Sequence, residues 1–223
     1  MRPGSPHGGD GARIARRLGL PVERVIDLSA SLNPFAPDVA AVAVGVLDQL
    51  GRYPDPVAAT DALAAAIGVD PDRLLLTNGG AEAIALVAAE LGEGDVVDPE
   101  FSLYRRHLTV VRAGAGRWRS NPSNPLGALA EPAGAAAVWD EAFWPLATGT
   151  WTRGDAEAWR LGSLTKLWAC PGLRLGYVIA PTAGAAARIA ARQPRWAVNG
   201  LAIAVVEPLL AVSDLSAWAA AIA

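Results

Sequence analysis

The chain has 223 residues, 52% hydrophobic and 18% charged, which is enough apolar material for one domain with a buried core and too much for intrinsic disorder. A formal net charge of −3 gives no broad positive field, so nucleic acid is not expected as a partner. One cysteine, Cys170, excludes an internal disulfide and Cys-clustered metal sites, and no metal is expected. No secretory signal is visible, and the apolar stretch 201–212 is interrupted by Glu207 and Pro208 too early for a membrane span, so the expectation is a soluble, cytoplasmic protein.

Taken in chain order, residues 1–38 are rich in Gly, Pro and Ser and read as an extended arm with one short helix over 12–18. Residues 39–50 are apolar enough for a helix, followed by the turn-forming Arg52-Tyr53-Pro54-Asp55-Pro56. The alanine-rich segment 57–67 predicts a helix with Gly68 as its stop. The run 74–77 has the form of a strand buried on both faces; Asn78-Gly79-Gly80 breaks it, and a helix resumes over 81–91. Further strands are expected at 94–98, 135–139, 159–161 and 175–180, and further helices at 183–192, 200–212 and 215–222. Buried strands alternating with helices predict an α/β fold with a mainly parallel sheet, residues 39–223 forming the domain behind the arm.

Of the 19 basic side chains, 18 are arginine and one is Lys166. A composition that replaces lysine by arginine wherever either will do should keep a lysine where arginine fails. A desolvated lysine can lose its proton and act as a nucleophilic amine, which arginine cannot do. Lys166 lies in Ser163-Leu164-Thr165-Lys166, with Arg174 eight residues on. Asp140 stands at the C-terminal end of the apolar run Val138-Trp139, the end at which open α/β sheets bind ligands. The turn at Gly79-Gly80 opens a helix whose free N–H groups suit a phosphate, although such a turn alone is more often plain turn chemistry. His107 and the tryptophans read as packing residues and Cys170 as a small buried hydrophobe.

Tyr53-Pro54-Asp55, Asn78-Gly79-Gly80-Ala81-Glu82, the two Asn-Pro turns of 121–127, Asp140-Glu141-Ala142-Phe143 and Ser163–Tyr177 follow one another in an order that resembles the fold-type I pyridoxal-phosphate enzymes, the aspartate-aminotransferase-like superfamily. Within it, His7-Gly8-Gly9-Asp10, the segment 27–34 and the segment 193–199 look like threonine-phosphate decarboxylases of cobalamin biosynthesis, with histidinol-phosphate aminotransferases as close relatives. The resemblance implies a three-layer α/β/α large domain with an N-terminal arm, and pyridoxal 5'-phosphate as cofactor. Lys166 would hold it as a Schiff base and move protons, and Asp140 would pair with the pyridine nitrogen. Asn124 would meet the ring hydroxyl and Phe101 the ring face. Gly80, Ala81, Ser163 and Arg174 would cup the phosphate, Arg174 through paired hydrogen bonds. Tyr53 would reach the phosphate of a second subunit in a homodimer. His7 and Asn33 would contact the substrate, a small phosphorylated amino acid. Phe143 stands where the family has a tyrosine, a replacement familiar in the decarboxylase-like branch.

The resemblance runs out near Ala223, where members of the family continue into a small C-terminal domain whose arginine clamps the substrate carboxylate; the stretch 112–120 is also compressed. Nothing after Arg195 can replace that arginine, so the clamp is expected to be absent unless Arg105, Arg106 or Arg195 takes it over. Three readings follow: a shortened decarboxylase, a histidinol-phosphate-type aminotransferase, and a non-catalytic remnant that binds cofactor or a partner protein.

Overall fold

The computed structural model describes residues 8–223, so the expected substrate contact His7 lies outside the described residues. Contacts divide the chain into two compact units, Met1–Leu32 and Asn33–Ala223. In the first, the helix Gly11–Leu18 closes on Gly19, whose φ of 65° supplies the left-handed turn that ends a helix. The Gly11 N–H at its other end donates to Asp27 Oδ2 at 3.1 Å.

The second unit is built on a sheet. Its strands are β1 (Leu74–Thr77), β4 (Trp118–Ser120), β5 (Val138–Asp140), β6 (Trp159–Gly162) and β7 (Gly176–Ile179), in the order β1-β7-β6-β5-β4. Between β1 and β4 in sequence, β2 (Glu93–Gly94) and β3 (Val110–Val111) pair separately in parallel. The strand β7 runs antiparallel to both its neighbours, while β4, β5 and β6 are mutually parallel, so four of the five strands share one direction. Both faces are covered. Leu76, Tyr177 and Ile179 pack with the helices Val57–Ile67, Val206–Ala211 and Leu215–Ile222. Val138, Leu161 and Val178 face the other way, toward the helices Gly79–Leu91, Leu103–His107 and Ala183–Ala190. The alternation of Tyr177, Val178 and Ile179 between two cores is the period-two geometry of a strand, and it explains why β7 has no polar face.

The expected α/β/α architecture is therefore present, with local departures. The helix expected over 39–50 is Val39–Val44 followed by a 3-10 turn at Leu47–Gly51, because glycine at 45 is a weak helix former and the chain bends there. The helix expected over 200–212 is split into Gly200–Ala204 and Val206–Ala211; Pro208 has no N–H for the carbonyl of Ala204. The strand expected over 94–98 is cut to Glu93–Gly94, and β4 replaces a stretch expected to have no strand. Among the described residues no single helix is long and apolar enough to cross a membrane.

The registers bring one set of loops together. Thr77 pairs with Gly176, Gly162 with Tyr177, Asp140 with Leu161, and Ser120 with Asp140. The segments 78–80, 121–124, 141–143, 163–166 and 174–175 thus all leave the sheet along the same edge.

Candidate active site

Lys166 lies in the short helix Leu164–Leu167, which begins directly after β6. The helix is too short to hold itself, and two long-range braces fix it. Buried Thr165 donates from its N–H (2.9 Å) and its hydroxyl (3.1 Å) to the Leu175 carbonyl, and the Leu175 N–H returns a bond to the same hydroxyl at 3.1 Å. Asn33 donates from its backbone to the Lys166 carbonyl at 3.1 Å and from its amide to the Leu167 carbonyl at 2.9 Å. Its amide oxygen is taken by the Phe35 N–H at 2.9 Å, and the residue is 3% exposed. Asn33, the expected substrate contact, thus also braces the lysine segment. Lys166 itself is half-buried; its Nζ lies 5.7 Å from the centre of the Phe143 ring and makes no hydrogen bond or ion pair among the described residues. Burial, and then the charge of Arg174, push its pKa below the ordinary lysine value. That is the condition for a neutral, nucleophilic amine.

Arg174 has a φ of 56°, a conformation that costs a non-glycine residue about 1 kcal/mol or more. With that φ its guanidinium lies against the turn between β1 and the helix Gly79–Leu91. An ideal Cβ on Gly79 would stand 2.5 Å from Arg174 Nη2. Gly176 is as constrained, since a Cβ there would stand 2.8 Å from Gly79 C and Gly80 N. Ser163 completes the group, its Oγ 4.0 Å from where a Gly80 Cβ would be. The result is an anion cradle: a guanidinium without an ion pair among the described residues, a hydroxyl, and the first N–H groups of a thirteen-residue helix. Ala81 lies in the same first turn.

Asp140 closes β5. Its Oδ1 accepts from the Ala142 N–H at 3.0 Å and its Oδ2 from the Tyr104 hydroxyl at 2.8 Å. Burial raises its pKa, and these two bonds oppose the rise. The Asp140 carbonyl accepts from the Asn121 N–H at 2.8 Å, which ties the Asn-Pro loop to the end of β5. Asn124 donates its backbone N–H to Ser120 Oγ at 2.7 Å, and the Ser120 N–H in turn donates to Glu100 at 3.1 Å. Phe101 is half-buried with its ring edge-on to Tyr104, centroids 5.9 Å apart. Tyr53 is exposed and stacks on Trp196 at 4.6 Å.

Tyr104, Thr165 and Glu100 were not legible as site residues. Nothing local marks Tyr104, whose helix reads Leu-Tyr-Arg-Arg-His; only the fold shows its hydroxyl buried and in need of a partner. Of the three arginines left for a carboxylate clamp, Arg105 is engaged by Asp98 at 3.0 Å and by the Val96 carbonyl. Arg106 and Arg195 are exposed, and their side chains make no hydrogen bond or ion pair among the described residues.

A desolvated lysine, an anion cradle beside it and a hydrogen-bonded carboxylate at one end of a mainly parallel sheet define a site for a phosphorylated aldehyde cofactor with a basic ring nitrogen. Pyridoxal phosphate fits these groups: the cradle suits its phosphate, Lys166 its aldehyde and Asp140 its ring nitrogen. No protein-family model matches the chain. It is 30% identical to threonine-phosphate decarboxylase of Salmonella typhimurium, over 96% of this chain and 71% of that one. It is 27% identical to histidinol-phosphate aminotransferase 1 of Dechloromonas aromatica, over 91% and 68%. Among solved structures, histidinol-phosphate aminotransferase from Sinorhizobium meliloti, in complex with pyridoxal-5'-phosphate, superposes with a TM-score of 0.72 at 16% identity, covering 86% of this chain and 66% of that one. The chain belongs to the fold-type I, aspartate-aminotransferase-like family of pyridoxal-phosphate-dependent enzymes. It spans about two thirds of the length of these relatives.

Proposed function

We propose that the chain is a decarboxylase of a small phosphorylated amino acid, threonine phosphate, in the cobalamin route, with pyridoxal phosphate held at Lys166. The observation that carries the choice is Phe143, whose ring lies 5.7 Å from Lys166 Nζ where the family resemblance puts a tyrosine. An apolar ring there keeps the amine desolvated and offers no hydroxyl to the cofactor, the arrangement of the decarboxylase-like branch. The 30% identity to a threonine-phosphate decarboxylase supports the same branch.

When bound, the cofactor supplies an electron sink for charge developing at the substrate Cα. The residues do the rest. Arg174, Ser163 and the Gly80 and Ala81 N–H groups would hold its phosphate, Asp140 would hold a proton on the ring nitrogen, Asn124 would meet the ring hydroxyl, and Phe101 would cover the ring. The substrate would lose its carboxylate as carbon dioxide and gain a proton at Cα, which Lys166 Nζ would deliver. Decarboxylation requires the Cα–carboxylate bond to stand perpendicular to the ring, so orientation is the protein's main task. Arg106 and Arg195 are the free arginines for it, and Tyr53 reaches a second subunit in a homodimer.

The test is release of labelled carbon dioxide from carboxyl-labelled threonine phosphate by the purified, cofactor-loaded protein. Amino-group transfer between histidinol phosphate and 2-oxoglutarate without carbon dioxide would move the reading to the aminotransferase. Cofactor binding with neither reaction would leave the non-catalytic reading.

A further inference from the structure

We propose that Tyr104 is the positioning residue of the ring-nitrogen contact: its buried hydroxyl fixes the Asp140 carboxylate in the one orientation that leaves a lone pair for the cofactor. The inference rests on the reading that pyridoxal phosphate sits at Lys166, and goes beyond it by assigning a residue that does not touch the cofactor.

The geometry is specific. Tyr104 is fully buried, and its ring is fixed between Phe101 at 5.9 Å and Trp118 at 5.6 Å, so its hydroxyl has little freedom. That hydroxyl donates to Asp140 Oδ2 at 2.8 Å, while the Ala142 N–H donates to Oδ1 at 3.0 Å. A carboxylate has about four acceptor sites, so two fixed donors lock its rotamer and still leave room for the pyridine N–H. The Ala142 bond, two residues along the chain, anchors one oxygen; only Tyr104 determines where the other points. A second carboxylate, Glu100, is held nearby by the Ser120 N–H at 3.1 Å, and its charge disfavours ionised Asp140, as burial does. The Tyr104 bond works against both, favouring the ionised carboxylate that a ring N–H would meet.

A tyrosine that only packs would present the same contacts, so the test separates packing from positioning. Dissociation constants are measured by fluorescence for pyridoxal phosphate and for its 1-deaza analogue, in which C–H replaces the ring nitrogen. The proteins are wild type, Tyr104→Phe, and a protein with 4-aminophenylalanine at position 104, which keeps an N–H donor on the same ring. Tyr104→Phe is expected to weaken pyridoxal phosphate about tenfold and the deaza analogue less than twofold, as loss of a hydrogen bond to a charged group implies. The preference for the natural ring should rank Tyr, then 4-aminophenylalanine, then Phe. Should the Phe variant not fold, the ranking of the first two decides. Equal losses for both ligands, or an unchanged preference, would overturn the assignment and leave Tyr104 a packing residue. If wild type prefers neither ligand and borohydride fixes no pyridoxyl group on Lys166, the site reading itself falls, and this assignment with it.

Discussion

Gly79 and Arg174 share one space: a Cβ on Gly79 would lie 2.5 Å from Arg174 Nη2 and 3.0 Å from Cζ. Gly79 also has a φ of 76°, so two independent constraints exclude a side chain there. Gly80, one residue on, has neither, since its nearest neighbour would be Ser163 Cβ at 3.8 Å. Gly79→Ala should therefore destabilise the protein by about 1–2 kcal/mol from the backbone alone and displace the guanidinium from the cradle. Gly80→Ala should stay within about 0.5 kcal/mol. Urea melts measure the first effect and pyridoxal phosphate affinity the second. Equal behaviour of the two variants would contradict the cradle geometry.

Lys166 should be the residue on which borohydride fixes a pyridoxyl group, located by peptide mass spectrometry, and Lys166→Arg should abolish the adduct because a guanidinium does not deprotonate in this range. Its lowered pKa makes a further claim. The neutral fraction rises with pH, so the rate of adduct formation should have its inflection below the unperturbed lysine value of 10.5. Pyridoxal without the phosphate is the suitable probe, since it does not depend on the cradle. Arg174→Gln removes the repelling charge, so the inflection should move up and the rate at pH 8 should fall. An inflection unchanged by that substitution would remove Arg174 from the account.

Glu141, next to Asp140, is 1% exposed; its Oε1 accepts from the Arg153 N–H at 2.9 Å, and its Oε2 is buried without a partner among the described residues. Burial pushes its carboxyl up to about 7, against the Thr152 and Arg153 hydrogen bonds and the nearby Arg160 charge, with Asp155 adding to the rise. The folded state therefore holds a proton that the unfolded state releases above 4.5. Stability from this group is full below 4.5, declines at up to about 1.4 kcal/mol per pH unit as pH rises toward 7, and is lost above. Urea midpoints of the wild type should fall across that window, and Glu141→Gln should flatten the fall. A wild-type profile that rises there instead would mean that Arg160 keeps Glu141 ionised.

What the sequence disclosed of this site follows the range of the forces involved. The strand 74–77, its glycine break and the stop at Gly68 are local events, written in apolar runs and in residues that tolerate positive φ, and they were legible. The strand β4 was not: it is three residues long with Arg119 at its centre, and only pairing with β5 makes it a strand. The braces were hidden for the same reason. Asn33 and Leu167 are 134 residues apart, and Tyr104 and Asp140 are 36 apart, with nothing local to mark either pair. Asn33 likewise has bonds to the Leu167 carbonyl and the Phe35 N–H that only the folded chain reveals.

The last prediction concerns Tyr53, and it asks whether the site is complete in one chain. Tyr53 and Trp196 stack with ring centroids 4.6 Å apart and an angle of 30°, yet they are 77% and 55% exposed. Trp196 also has a φ of 57°, a strained backbone for a bulky residue. Leu50 and Val57 flank the Tyr53 turn and are exposed as well. An ordered aromatic pair within an apolar surface is what a twofold partner would cover, and a hydroxyl at its tip is suited to a phosphate on the other subunit. Tyr53→Phe keeps the ring stack and removes only that hydroxyl, so it should weaken pyridoxal phosphate without lowering the melting temperature. Mixing it with Lys166→Ala, after subunit exchange, should give heterodimers in which one site has both wild-type residues, restoring about a quarter of all sites. Light scattering supplies the other arm: a monomer that binds the cofactor with wild-type affinity would end the dimer reading and the role given to Tyr53, since a hydroxyl this exposed has no phosphate to meet within its own chain.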